Sequence, residues 1–118
     1  MMETYKDLLV WQEAMNLVEI IYLQTKSFPK EELYGLTSQI RRAAISIPSN
    51  IAEGNGRKSR MEYLQFLSIA NGSLKELETQ ILIAERLNYL QKKSSEQVQA
   101  KLQTVGRLLT GLRKSLKE

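Results

Sequence analysis

The sequence predicts an all-α protein, an antiparallel up-down four-helix bundle, on three observations. Four segments repeat apolar residues at steps of three and four, the spacing that lines one face of an α-helix. The links between them are short and carry residues that end helices: Ser27-Phe28-Pro29, Gly54-Asn55-Gly56, and the stretch from Asn88 to Lys93. No stretch alternates apolar and polar residues as a half-buried strand does. At 118 residues the chain reads as a single domain over 1–118, long enough to bury a core without disulfides.

Helix one is expected from Asp7 to about Thr25. Asp7 is the candidate N-cap, its carboxylate accepting from free amides of the first turn. Leu8, Trp11, Met15, Val18 and Tyr22 form the main apolar line, with Ala14, Leu17 and Ile21 beside it. Leu9, Ile20 and Leu23 lie off that line, and a helix that is apolar on more than one side usually has more than one neighbour, which hints at a subunit contact.

Pro29 ends this helix, because proline cannot donate to the preceding turn and pushes the residue before it out of the helical region. Helix two follows Tyr34-Gly35, with Thr37 or a neighbour as its cap. Ile40, Ala44, Ile47 and Ile51 form its buried stripe, and Arg42, Ser46, Ser49 and Glu53 a polar one. Pro48 falls inside, where a proline costs about 3 kcal/mol in an ordinary helix. A kinked continuous helix is expected, with Ser46, Ser49 and Asn50 satisfying the freed carbonyl through side chain or water.

Ser59 to Glu62 reads as a capping box that starts helix three, which continues to about Leu87 on a seam of Leu67, Ala70, Leu74, Leu77, Ile81 and Ala84. Gly72 in its middle costs about 1 kcal/mol relative to alanine, which suggests close approach of another helix. Ser94 to Gln97 offers a second capping box. Helix four is expected from about Glu96 to Leu116 on Val98, Leu102, Val105, Leu109, Leu112 and Leu116.

Composition narrows the chemistry. The chain has no histidine and no cysteine, so it lacks the commonest general base, the commonest transition-metal ligand and the best soft nucleophile. A di-metal centre built on Glu-x-x-His pairs cannot form. The expectation is a protein that is not an enzyme and has no metal site or cofactor. The N-terminus does not read as a signal peptide, and no apolar run approaches the roughly 18 residues of a membrane span, so a cytoplasmic location and no membrane partner are expected.

The net charge of +4 is unevenly placed: residues 1–56 hold five Lys or Arg against seven Asp or Glu, and residues 57–118 hold twelve against six. A basic half invites an anionic partner, although Lys and Arg also simply solvate helix faces. Arg57, Lys58 and Arg60 cluster at the turn into helix three, where free helix amides attract anions as well. Lys101, Arg107, Arg113, Lys114 and Lys117 decorate helix four. Aromatic residues are not interleaved with either group, so any RNA or DNA would be held by its backbone rather than by base stacking.

Arg41 and Arg42 suit either phosphate or a structural carboxylate. Arg42 and Glu53 stand about 16 Å apart along an undistorted helix, which gives them separate partners. A catalytic Glu53 would need a second acid or base, and the sequence names none. Pro48, Asn50 and Glu53 therefore read as structural or interface residues, with Arg41 and Arg42.

The words DLxVWQ, FPxxExYGL, QxRRAAxSIPxNIAEG and GSxxE, spread over Asp7 to Leu90, resemble the S23, or 23S rRNA intervening-sequence, family of small bacterial proteins. The resemblance carries over the signature positions Trp11, Gln12, Pro29, Tyr34, Gly35, Gln39, Arg41, Arg42, Ala43, Ala44, Asn50, Glu53, Gly54 and Arg57, none with a catalytic role. It implies a four-helix bundle assembled as a ring-like homopentamer with no established biochemical activity for most members. The fold is also similar to that of the accessory variability protein of diversity-generating retroelements, a basic pentamer that associates with a reverse transcriptase and nucleic acid. The expected function is a non-enzymatic homo-oligomer that binds RNA or DNA through basic surface. The alternative is a protein-interaction scaffold, or an accessory subunit for a nucleic-acid enzyme.

Overall fold

The computed structural model describes residues 4–117. Helix α1 spans Leu9–Thr25, α2 Leu36–Asn55, α3 Arg60–Arg86 and α4 Lys92–Lys117, with short 3-10 turns at Tyr5–Asp7 and Lys30–Glu32 and no strand among the described residues. Each helix packs on two others: α1 on α2 and α4, and α3 on α2 and α4, with no close backbone approach across either diagonal among the described residues. At 1.5 Å per residue α3 is about 40 Å long, and it sets the long axis of a body measuring 43 × 25 × 20 Å.

One apolar cluster runs the length of this body, and every helix supplies fully covered side chains to it: Leu17 and Ile21; Ile40, Ile47 and Ile51; Leu67, Leu77 and Ile81; Val98, Leu102, Val105 and Leu109. Each contributes roughly 1.5–3 kcal/mol relative to exposure, so the four stripes together drive the fold. The stripes expected on the second and third helices are buried as read. On α4, Leu112 and Leu116 are only partly buried, at the end of the bundle.

On α1 the expected lines exchange places. The buried line is Val10, Ala14, Leu17, Ile21 and Thr25, while Trp11 and Val18 pack on the core's flank and Met15 and Tyr22 are each 38% exposed. The cause is the position of α1 between α2 and α4, which centres burial on its small and branched residues. Trp11 instead meets Tyr5 edge to face, ring centroids 5.3 Å apart. Asp7 does not cap α1, which starts at Leu9 behind an extended Leu8. Asp7 closes a capping box on the preceding turn, its Oδ2 accepting from the Thr4 amide at 3.3 Å.

Helix α2 is one continuous helix through Pro48, which is buried. Its start is not capped by Thr37, whose hydroxyl is buried without a partner among the described residues. Glu32 caps it from the preceding turn, Oε1 accepting from the Leu36 amide at 3.0 Å. Gly35 makes room for that carboxylate, since a Cβ there would lie 2.8 Å from Glu32 Oε1. The side-chain bonds near the proline also fall elsewhere than expected. Asn50 Nδ2 donates to the Ser46 carbonyl at 2.8 Å and to Ser46 Oγ at 2.9 Å, rather than to the carbonyl of Ala44 that the proline frees.

Ser59 starts α3 as read, accepting from the Glu62 amide at 3.1 Å, while the Glu62 carboxylate takes the Ser59 hydroxyl proton rather than its amide. Gly72 is not a close approach: it is exposed, and a Cβ there would meet nothing within 4 Å. Close approaches between helices fall instead at Gly106, where a Cβ would lie 3.2 Å from Leu74, and at Gly54, where it would lie 2.8 Å from Phe66. Helix α4 begins at Lys92, four residues before the expected start, because Asn88 takes a left-handed φ of 63° and turns the chain at once. Ser95, expected within a cap, faces inward and is buried.

Candidate functional site

The register of the helices decides which cations meet. Ser73 Oγ donates to Ser46 Oγ at 2.8 Å and Asn55 Nδ2 to Tyr63 Oη at 3.1 Å, so α2 and α3 run in opposite directions. Gly106 lies against Leu74, and Gln99 Nε2 donates to the Glu78 carbonyl at 3.3 Å, so α3 and α4 do likewise. From the Leu74–Gly106 contact, Arg60 lies about 21 Å along α3 and Lys117 about 17 Å along α4, toward the same end. The turn bearing Arg57, Lys58 and Arg60 therefore shares one end of the bundle with Arg113, Lys114 and Lys117.

These cations are not equivalent. Arg57 is committed locally: its Nη2 lies 3.1 Å from Glu53 Oε1, and its guanidinium stacks 4.7 Å from the Phe66 ring centroid. Lys58 and Arg60 are exposed and bond to no described residue. Arg60 is also the first residue of α3, where the helix dipole favours anions, so a cation there adds to local positive potential rather than to helix stability. Lys114 is exposed and Arg113 half-buried at the other side of this end. Their place in the last turns of α4 complements its dipole.

Lys101 stands apart from the basic surface. Its Nζ donates to Glu13 Oε1 at 2.6 Å, in a largely covered bridge between α4 and α1. That hydrogen bond holds the Glu13 carboxyl below the usual carboxylate range, against the upward push of partial burial. Arg107 is exposed midway along α4 and lines, with Lys75 and Arg113, a groove of about 820 Å³ between α3 and α4. Lys75 was not singled out in the sequence; its only signal is a position one residue from the buried Leu74 of the α3 seam.

The structural candidates fall into two places. Arg41 pins α2 to α1, its Nε donating to Thr25 Oγ1 at 2.9 Å and its guanidinium lying 4.6 Å from the Tyr22 ring centroid. Trp11 and Pro48 line a shallow apolar groove between the same helices, about 310 Å³, with Met15 and Ile45 exposed at its edges. Arg42 is exposed and bonds to no described residue, and Glu53 pairs with Arg57. Arg42 and Glu53 thus do not meet, as their spacing required. The Glu53–Arg57 pair was legible as oppositely charged residues four apart on one helix. Asn50 acts on Ser46 as described. No described helix is long and apolar enough to cross a membrane.

The fold and this surface define a class of small four-helix protein with exposed cations and side-chain hydrogen bonds between its helices. The chain matches the family described as 23S rRNA-intervening sequence protein over residues 6–111, and it belongs to that family. It is similar in fold to a protein of unknown function from the S23 ribosomal protein family of Bacteroides thetaiotaomicron, with a TM-score of 0.81 and 23% identity over 90% of this chain and 99% of that one. No curated protein matches it in sequence.

Proposed function

We propose that the protein is a non-enzymatic homo-oligomer, five copies in a ring, that binds the backbone of RNA or DNA through the basic end of the bundle. The observation that carries this reading is the convergence of Lys58 and Arg60 with Arg113, Lys114 and Lys117, two groups separate in sequence, at one end of the molecule. Ring symmetry would repeat that end, and five copies would carry a net charge of about +20 before counterions. Assembly is supported by large apolar side chains left uncovered on the single chain, including Leu9 at 56%, Leu23 at 64% and Tyr34 at 93% exposure.

The test is a filter-binding titration against a structured RNA at about 50 mM salt and upward. The expected result is binding whose logarithm falls linearly with log salt, with the slope reduced by about one for each of Lys58→Gln, Arg60→Gln and Lys114→Gln. Lys101→Gln, which removes a cation already committed to Glu13, should leave the slope unchanged. No binding at the lowest salt, or binding indifferent to salt, would sink the reading. Light scattering after size exclusion, with and without nuclease, tests the assembly: a monomer mass removes the oligomer. The apolar groove between α1 and α2 favours a scaffold as the second reading, for which a protein partner would survive nuclease and high salt.

A further inference from the structure

Between α2 and α3, away from the basic end, lies a polar cavity of about 380 Å³ lined by Gln39, Arg42, Ala43, Ser46, Ser73 and Glu76. Its size is within the range of small-molecule sites. Its wall is held in place by one side-chain bond across the two helices and two within α2. Ser46 Oγ accepts from Ser73 Oγ at 2.8 Å and from Asn50 Nδ2 at 2.9 Å, and Asn50 also anchors to the Ser46 carbonyl. The Ser46 and Ser73 hydroxyls share one hydrogen bond, so one of their two protons is left to donate, and no described residue takes it.

The charges on this cavity are unusual in being opposite yet unpaired. Arg42 makes no hydrogen bond or ion pair with a described residue, although Glu76 lines the same space. Glu76 is engaged on its own helix, Oε2 accepting from Gln80 Nε2 at 3.3 Å. One wall therefore offers the Arg42 guanidinium, the Ser46 hydroxyl and the Gln39 amide as donors, and another offers a carboxylate. A simple carboxylate entering here gains Arg42 but is repelled by Glu76, and a simple amine meets the reverse. A small molecule carrying both charges finds a partner on each wall, and Ala43 supplies an apolar spot for its carbon frame.

We infer that this cavity binds a small zwitterion of the free α-amino-acid type, its carboxylate on Arg42 and Ser46 and its ammonium on Glu76. The reading is independent of nucleic-acid binding, since none of these residues belongs to the basic end. The test is a titration of the full-length 15N-labelled protein with each free L-amino acid to tens of millimolar, with acetate and methylamine as single-charge controls. At least one amino acid should give saturable amide shifts centred on Gln39, Ser46 and Ser73, with neither control saturating in the same range. Arg42→Gln and Glu76→Gln, both at exposed positions that leave the core intact, should each weaken that binding about tenfold or more, as expected for loss of one charged hydrogen bond. Overturning results are the absence of any saturable shift, acetate binding as well as the amino acid, or affinity unchanged in both variants. Unchanged amide positions away from the cavity in the two variants exclude misfolding as the cause of a loss.

Discussion

At Gly54 and Gly72 the same residue in the same kind of element has opposite consequences. A Cβ at Gly54 would stand 2.8 Å from Phe66 Cβ and 3.0 Å from Tyr63 Cδ1, so α2 and α3 can come together there only because the side chain is absent. Gly54→Ala should lose about 1–3 kcal/mol of stability through overpacking. At Gly72 an added methyl meets nothing, and the helix gains the backbone entropy that glycine forfeits, so Gly72→Ala should gain about 0.5–1 kcal/mol. Urea unfolding of the two variants beside the parent checks both signs. In the sequence Gly54 reads as part of the Gly54-Asn55-Gly56 stop of the second helix and Gly72 as a costly mid-helix glycine. Which of them touches a neighbour depends on register between helices, and single-helix periodicity carries no such information. The Glu53–Arg57 pair is the contrary case: it needs only one helix, and its spacing alone announces it.

Among the elements, the start of α2 is held from outside itself. Glu32 sends one carboxylate oxygen to the Leu36 amide at 3.0 Å and the other to the Tyr89 hydroxyl at 2.9 Å, joining the α1–α2 link to the α3–α4 link. The hydrogen bond to that carboxylate pushes the Tyr89 phenol above its ordinary range. Glu32→Ala should cost about 1–2 kcal/mol, the usual cost of a lost N-cap. Tyr89→Phe should cost less, and the double variant should lose less than the sum, because both changes remove one shared bond. A double-mutant cycle in urea measures the coupling; strict additivity would show the carboxylate acting on α2 alone. Helix existence and buried stripes on α2, α3 and α4 were legible because they follow from a 3.6-residue period. The ends were not. Ser94-Ser95-Glu96-Gln97 carries the letters of a cap, yet Ser95 is drawn inward with Val98 and Leu102, since a left-handed Asn88 turns the chain early enough for α4 to start at Lys92. Core packing overrode a local capping preference.

For the whole molecule, what closes the set of four helices is the contact between α1 and α4, and the Glu13–Lys101 bridge lies on it. Because Lys101 lowers the Glu13 pKa in the folded state, the bridge stabilises fully above the ordinary carboxylate pKa, and that contribution is lost as pH falls through the lowered folded value. The stability difference between the parent and Glu13→Gln should therefore shrink on acidification. Urea unfolding across the acid range reads it, and a difference that grew toward low pH would contradict the assignment. The basic half of the chain was visible in the sequence as charge counts, but its sorting was not: Lys101 serves the closure while Lys58 and Arg60 stay uncommitted, a division set by which residues of α1 and α4 face each other.

The same bridge joins residues 88 apart in sequence, whereas the other helix contacts link consecutive helices. Consecutive pairs close small loops and can form early; bringing α1 onto α4 closes the longest loop and is entropically the last step. The acid-sensitive contribution of Glu13 should then appear in the rate at which the native bundle opens rather than in the rate at which it forms, so that acid shortens the lifetime of the folded chain while refolding proceeds at its usual speed.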